Sequence, residues 1–268
     1  LSEVSFMNLS EMFLLFICYS FIGWVIEVIY EYFVNGKLVN RGFLIGPYCP
    51  IYGVGGLIAT ITLTSHKDSI IILFVMSMFM FALLEYFTSY LMEKLFKARW
   101  WDYSNYRFNI NGRICLETLV PFGLLGCFAI YIVNPSFKFL FSLANPQVLN
   151  IIVIVIAIFF VLDVILSLKI ISSFKNTAMC FLKKDNTEEI TKKVKEVLLN
   201  KSVWTRRLMK AFPKVKAVIS NINIDFIKTK LDLKLTRKEL KQTKKELHKK
   251  EKELKKKDKE IERNKKWR

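Results

Sequence analysis

The sequence predicts an all-α fold, a polytopic membrane protein of about five transmembrane helices followed by a basic helical tail. Two observations carry that reading. The first is a conflict in the totals: 53% of the 268 residues are hydrophobic and mean hydropathy is +0.30, yet the formal net charge is +18. A single globular core of that apolarity rarely carries so large an imbalance. The second resolves the conflict. Residues 1–168 hold 9 Lys/Arg and 10 Asp/Glu, whereas residues 169–268 hold 32 and 13. The chain is two physical objects joined near Lys169. One is an apolar domain (1–171); the other is a tail that divides into basic amphipathic juxtamembrane helices (172–225) and a charged final stretch (226–268). That partition argues against a soluble enzyme.

Crossing the hydrocarbon core takes about 20 mostly apolar residues. Five stretches qualify: Met12–Phe33, Tyr48–Thr64, Ile70–Met92, Ile114–Val133 and Val148–Ile171. The second is the weakest, because Pro47, Pro50, Gly53, Gly55 and Gly56 crowd its start. Proline fits a first helical turn, and small residues let neighbouring helices approach. The fourth carries Pro121, which predicts a kink. The first run lacks a basic leader region and has Glu3 and Glu11 before it, so no cleaved signal peptide is expected.

Lys and Arg in short loops set orientation. The N-terminal segment has none, the first loop has Lys37 and Arg41, the second only Lys67, and the third Lys94, Lys97, Arg99, Arg107 and Arg113. The fourth has only Lys138, and the tail is rich. Rich and poor segments alternate, which predicts an outside N-terminus and a cytoplasmic first loop, third loop and tail at the cell membrane.

With that threading, Glu27, Glu31, Glu85, Glu117 and Asp163 all fall in the inner half of the bilayer. A carboxylate there is costly and must face protein, water or a cation. Arg41 and Arg113, in the two polar loops of the same side, are the natural bidentate partners for Glu27, Glu31, Glu85 or Glu117. Two readings stay open: an ion-pair network pinning helix ends, or a cytoplasm-facing pocket for a substrate, ion or lipid head group. Asn40, Tyr48, Tyr52, Asp102 and Asn109 complete the candidate set. Trp100, Trp101 and Tyr103 equally suit an interfacial belt, and Gly42, Gly46 and Gly112 suit tight loops. The five cysteines, Cys18, Cys49, Cys115, Cys127 and Cys180, form no CxxC pair and read as structural thiols. No cofactor or metal is expected. His66 is the only histidine outside the tail and falls on the outer side, which removes histidine chemistry from the pocket.

Several stretches match a known pattern: Tyr19-Ser20-Phe21-Ile22-Gly23-Trp24 with Glu27, the run Asn40 to Gly53, Glu85-Tyr86, Trp100 to Ser104, and Asn109 to Cys115. Over roughly residues 12–135 the chain resembles the CmpB-like family, also called ABC-transporter type IV, small bacterial polytopic membrane proteins. The resemblance implies a transporter permease. The chain has no GxxxxGK[ST] phosphate loop, so ATP hydrolysis by that route would fall to a separate ATPase subunit. Five short-looped helices are few for a path, so a homo-oligomer is expected.

In the tail, Asp185 with Glu188 reads as a capping box, followed by an apolar stripe at Ile190, Val194, Val197 and Leu198. The segment 202–220 mixes Trp204, Leu208, Phe212, Val215 and Ile219 with Arg206, Arg207, Lys210, Lys214 and Lys216. That mixture suits anionic inner-leaflet lipids better than packing on the protein's own face. Leu233, Leu240, Leu247, Leu254 and Ile261 repeat every seven residues, but one apolar position per heptad makes a weak coiled coil at most, and a lone solvated helix is the equal alternative. With Phe226 and Trp267 as the only aromatics of that stretch, nucleic acid is not the expected partner. Three functions remain: a permease-like subunit, a lipid-handling protein or membrane enzyme using carboxylates in the pocket, and a scaffold whose tail recruits partners.

Overall fold

A computed structural model describes residues 8–180 and 187–218. Among these the fold is nearly all-α, with four helices long and apolar enough to cross a membrane.

Helix α1 (Leu9–Asn35) begins at a capping box, Asn8 accepting from the Glu11 amide while the Glu11 side chain accepts in return. It ends at Gly36, whose φ of 65° is easy only without a Cβ. The chain then turns back instead of leaving. Residues 37–49 return beside α1 until the Cys49 amide donates to the Ser20 carbonyl at 2.9 Å, near the middle of that helix. At 1.5 Å per residue, this retreat covers about 22 Å. Only there does α2 (Pro50–Leu63) start, with proline in its first turn. It packs closely on α1, because a Cβ on Gly53 would overlap Ser20 and Phe16, and one on Gly56 would overlap Tyr19.

The second predicted span, Tyr48–Thr64, is not among the four helices long enough to cross a membrane. Its helix has 14 residues, about 21 Å against a core of about 30 Å. Proline and glycine at residues 46–50 end the helix there, and the lost backbone partners are supplied by other elements.

Helix α3 (Ile70–Phe96) is capped by Ser69 and ends at Lys97, beyond the predicted Met92. A short strand β1 (Ala98–Arg99) follows. Helix α4 (Leu116–Phe128), a wide π turn (Ala129–Val133) and α5 (Asn134–Leu143) form one apolar rod over Leu116–Leu143. Helix α4 continues through Pro121, and the departure from α geometry comes after it. Proline crowds the carbonyl four residues back and offers no amide, and a widened turn just before Pro135 relieves both. The turn aims Asn134 inward, where Tyr19 donates to its Oδ1 at 2.6 Å and Thr60 at 3.0 Å. The apolar packing around this node is Leu15, Tyr19, Ala129 and Val133, with Ala59, Leu63, Leu73 and Ile130 beside it.

Helix α6 (Pro146–Cys180) extends past the predicted end at Ile171. Helices α7 (Thr187–Lys201) and α8 (Val203–Ala211) lead to strand β2 (Lys216–Ala217), antiparallel to β1 with Ala98 opposite Ala217. Ile190, Val194, Leu198, Leu208, Met209, Phe212 and Val215 are buried, and Val197 is exposed. Leu208, Met209, Phe212 and Val215 thus pack on the protein, where the sequence favours a bilayer-bound 202–220 segment, while Val203 and Trp204 stay exposed. The Asp185 cap, Ile219 and the heptad of 226–268 lie outside the described residues.

Contacts sort the loops by end. Residues 41–44, the 98–104 stretch and α8–β2 meet one another at one end. At the other, Tyr131 donates to the Lys67 carbonyl at 2.5 Å, and Ser10 donates to Asn150 at 2.7 Å.

Candidate functional site

The inward-folded stretch 37–49 is irregular backbone at membrane depth, tolerable only where protein satisfies its polar groups. Asn40 Oδ1 accepts from the Trp24 indole at 2.9 Å and the Gly42 amide at 3.0 Å, while its Nδ2 donates to the Ile45 carbonyl at 2.9 Å. Asp163 of α6 takes the next two amides, Ile45 at 2.9 Å and Gly46 at 2.7 Å, and Ser167 donates to it at 2.8 Å. The carboxylate and the loop thus resolve each other's burial. A Cβ on Gly46 would lie 2.8 Å from Asp163 Oδ2 and 2.7 Å from the Tyr48 ring. Tyr48 itself meets Phe160 of α6 edge-on, centroids 5.8 Å apart. Asp163, Asn40 and Tyr48 are therefore holders of this loop.

Arg41 sits where that loop leaves α1. Its Nη1 is 3.0 Å from Glu31, which is 5% exposed and also accepts from Asn35 at 2.7 Å. Its Nε lies 3.6 Å from Glu27 Oε2 without making a hydrogen bond. Glu27 Oε1 accepts from the Tyr52 hydroxyl at 2.8 Å, and Glu85 Oε1 accepts from Tyr103 at 3.1 Å. Burial first, then the Glu85 charge and its hydrogen bond, push the Tyr103 hydroxyl far above its ordinary range, with Glu27 adding to the effect. Tyr103 is thus a fixed donor facing two carboxylates. Among the described residues, Glu85 Oε2 is buried with no partner.

The third loop builds a second cluster. Asn111 and Gly112 at φ 53° and 66° make a tight turn, Ile110 N donating to Ile114 O at 2.9 Å. Asn109 braces it, accepting from Gly112 N at 3.0 Å and donating to Tyr106 O at 2.8 Å. The turn directs Arg113 onto α3, where it is 3.0 Å from Glu93 and 3.3 Å from Ser89 Oγ, with its guanidinium over Tyr86 and Tyr90. Glu93 also takes Arg99 Nε at 3.1 Å. Arg113 thus pairs with none of the acids expected for it. Glu93 escaped notice because the span was ended at Met92, which left it outside the bilayer. Glu117 is exposed in the first turn of α4, and no described residue pairs with it.

Asp102 joins the third loop to the tail. Ser104 donates to it from both hydroxyl and amide, and Lys216 Nζ donates at 2.7 Å. Burial alone would raise its pKa, but these donors and the lysine charge outweigh it and hold the carboxyl down at about 2. The tail also reaches the first loop through Arg207, unforeseen because tail arginines read as solvated or lipid-facing. Its Nη2 donates to the Gly42 and Leu44 carbonyls, each at 2.6 Å. Among the described residues no three His, Cys, Asp or Glu are grouped to hold a metal ion.

Apolar helices of this length, a loop folded back among them and acids partnered inside the bundle define a multi-pass membrane protein. Residues 14–168 match the family described as "Putative ABC-transporter type IV". That is more than half of the chain, and the protein belongs to this family, whose name places it with membrane transport. No curated protein and no solved structure matches it.

Proposed function

We propose that the protein is a permease-like transport subunit whose polar pocket lies between Glu27, Tyr52, Glu85 and Tyr103 at the loop-bearing end of the bundle. The observation that carries the reading is Glu85: an acid on a membrane-spanning helix, one oxygen held by Tyr103 and the other buried without a partner. Intramembrane acids of this kind mark solute or ion paths. Glu27 and Glu85 bring carboxyl oxygens into a site where, among the described residues, the near donors are the Tyr52 and Tyr103 hydroxyls and the Arg41 edge, which suits a cationic or hydrogen-bond-donating solute. In this reading the chain makes five passes, the second being loop plus α2, with the N-terminus outside and the pocket and tail cytoplasmic at the cell membrane. It works as a homo-oligomer, carries out no catalysis of its own and takes ATP hydrolysis from a partner ATPase. The basic tail faces anionic lipid.

Uptake of a panel of alkali ions and small organic cations into proteoliposomes tests it. The expected result is an uptake that disappears with both Glu27→Gln and Glu85→Gln. Equal uptake in protein-free vesicles, or uptake untouched by both variants, refutes it.

A further inference from the structure

The tail and the inward-folded loop exchange arginines. Arg207 of α8 reaches into the loop and bridges the Gly42 and Leu44 carbonyls at 2.6 Å each. Arg41 of the loop reaches out and donates to the Ala211 carbonyl at 3.1 Å, at the end of α8. Between the two arginines Phe43 stacks on Phe212 with centroids 4.2 Å apart, both edge-on to Trp100. The rest of the tail is fastened separately, by Lys216 on Asp102, by β2 on β1, and by the Val218 amide on the Lys97 carbonyl at 2.9 Å.

From these contacts we propose that α8 is a latch that holds residues 41–44 closed over the Glu27–Arg41 region and releases them by swinging away. Two features make it releasable. The hydrogen bonds on the loop side are all to backbone carbonyls, which water replaces readily when the loop is uncovered. The Nε atoms of Arg41 and Arg207 are both buried without a hydrogen-bond partner among the described residues. The closed state is therefore under-satisfied at both arginines, whereas open water would satisfy them. The loop keeps its deeper anchors on Asp163 and Asn40 either way, so release uncovers the loop without unfolding it. Cys49 is the built-in reporter. It is buried at the foot of the loop, and both Arg41 and Arg207 lie close enough to act electrostatically on its thiol. The inference rests on these contacts and stands whether or not the protein transports anything.

The test uses the full chain in detergent or vesicles with Cys18, Cys115, Cys127 and Cys180 changed to Ala, so that Cys49 alone reacts with a maleimide. Removing a charged donor to two carbonyls raises the open fraction, and labelling of Cys49 is expected to speed up about tenfold or more in Arg207→Gln. Arg207→Lys, which cannot bridge both carbonyls, should give a smaller increase. Arg206→Gln is the control, since among the described residues the Arg206 guanidinium bonds the Leu199 carbonyl, within the tail. If Arg207→Gln loses its helical circular dichroism, Arg207→Lys and Phe212→Leu decide. Labelling within about twofold of the parent in the variants that fold overturns the latch. Acceleration in Arg206→Gln equal to that in Arg207 variants overturns it as well.

Discussion

Two arginines end up at the same end of the bundle in opposite states. Arg113 is 6% exposed and saturated: Glu93 and Ser89 receive it, and Tyr86 and Tyr90 face its plane. Arg41 is also paired, yet its Nε is left over, as are Glu85 Oε2 and Arg207 Nε around the first loop. The same chemistry is thus used twice. Among the described residues, Arg113, Glu93 and Ser89 leave no buried side-chain atom without a partner, which is how a fold is pinned. Around Arg41 and Glu85 some have not, and an unanswered buried polar atom costs stability unless something else meets it in use. The comparison separates a structural ion-pair network from a candidate working site, two readings that the sequence left open.

The comparison breaks or sharpens through stability. Glu93→Gln should have the largest effect, because it strips the buried Arg113 of its counter-ion and Arg99 of its partner. A loss of about 3 kcal/mol is expected, read as thermal or denaturant unfolding in detergent. Asp163→Ala follows closely, leaving the Gly46 amide without its acceptor and the Ile45 amide with Ser167 Oγ alone, at roughly 1 to 3 kcal/mol. It should expose Cys49 to thiol reagents as well, and a variant as stable as the parent would mean that the loop has other supports. Gly46→Ala places a methyl group against Asp163 and Tyr48, and about 1 to 3 kcal/mol of overpacking strain is expected in the same melts.

Asp102→Asn should cost about 0.5 kcal/mol, since Lys216 is exposed and the pair is screened. The folded-state pKa of Asp102 is depressed to about 2 from the model-peptide 3.8. Its contribution is therefore complete above about pH 4 and disappears as pH falls through about 2. Tail docking should be flat from pH 5 to 8 and weaken only in strong acid, as followed by tryptophan fluorescence. The smallest stability change belongs to Glu85→Gln, near zero, because one of its oxygens already lacks a partner. Under the proposed permease reading, the uptake measured in proteoliposomes should nonetheless be lost. A large loss of stability there would return Glu85 to the structural group.

Most of the helices were legible in the sequence. Long apolar runs have nowhere to go but lipid, and their ends follow from caps such as Asn8–Glu11 and stops such as Gly36. The two motif-bearing loops were also legible as the place where acids and arginines gather, and the family could be read from them. Pairing was not. Arg113 chooses Glu93 over Glu85 because the Asn111-Gly112 turn aims it, and turn geometry acts only once α3 and α4 are packed. Asp163 read as one more pocket acid, while its role as holder depends on a loop 118 residues away in sequence that folds back along α1.

Composition, hydropathy and charge by themselves determined that this chain is a helical membrane protein with a basic tail, because those quantities are set residue by residue and need no partner. Tertiary structure decided that the second apolar run is an inward-folded loop followed by a 14-residue helix, that α7 and α8 bury much of their apolar stripe on the protein, and that Arg207 reaches the first loop. Each depends on which surfaces meet, and a stripe that would suit lipid suits a neighbouring protein face equally well by burial alone.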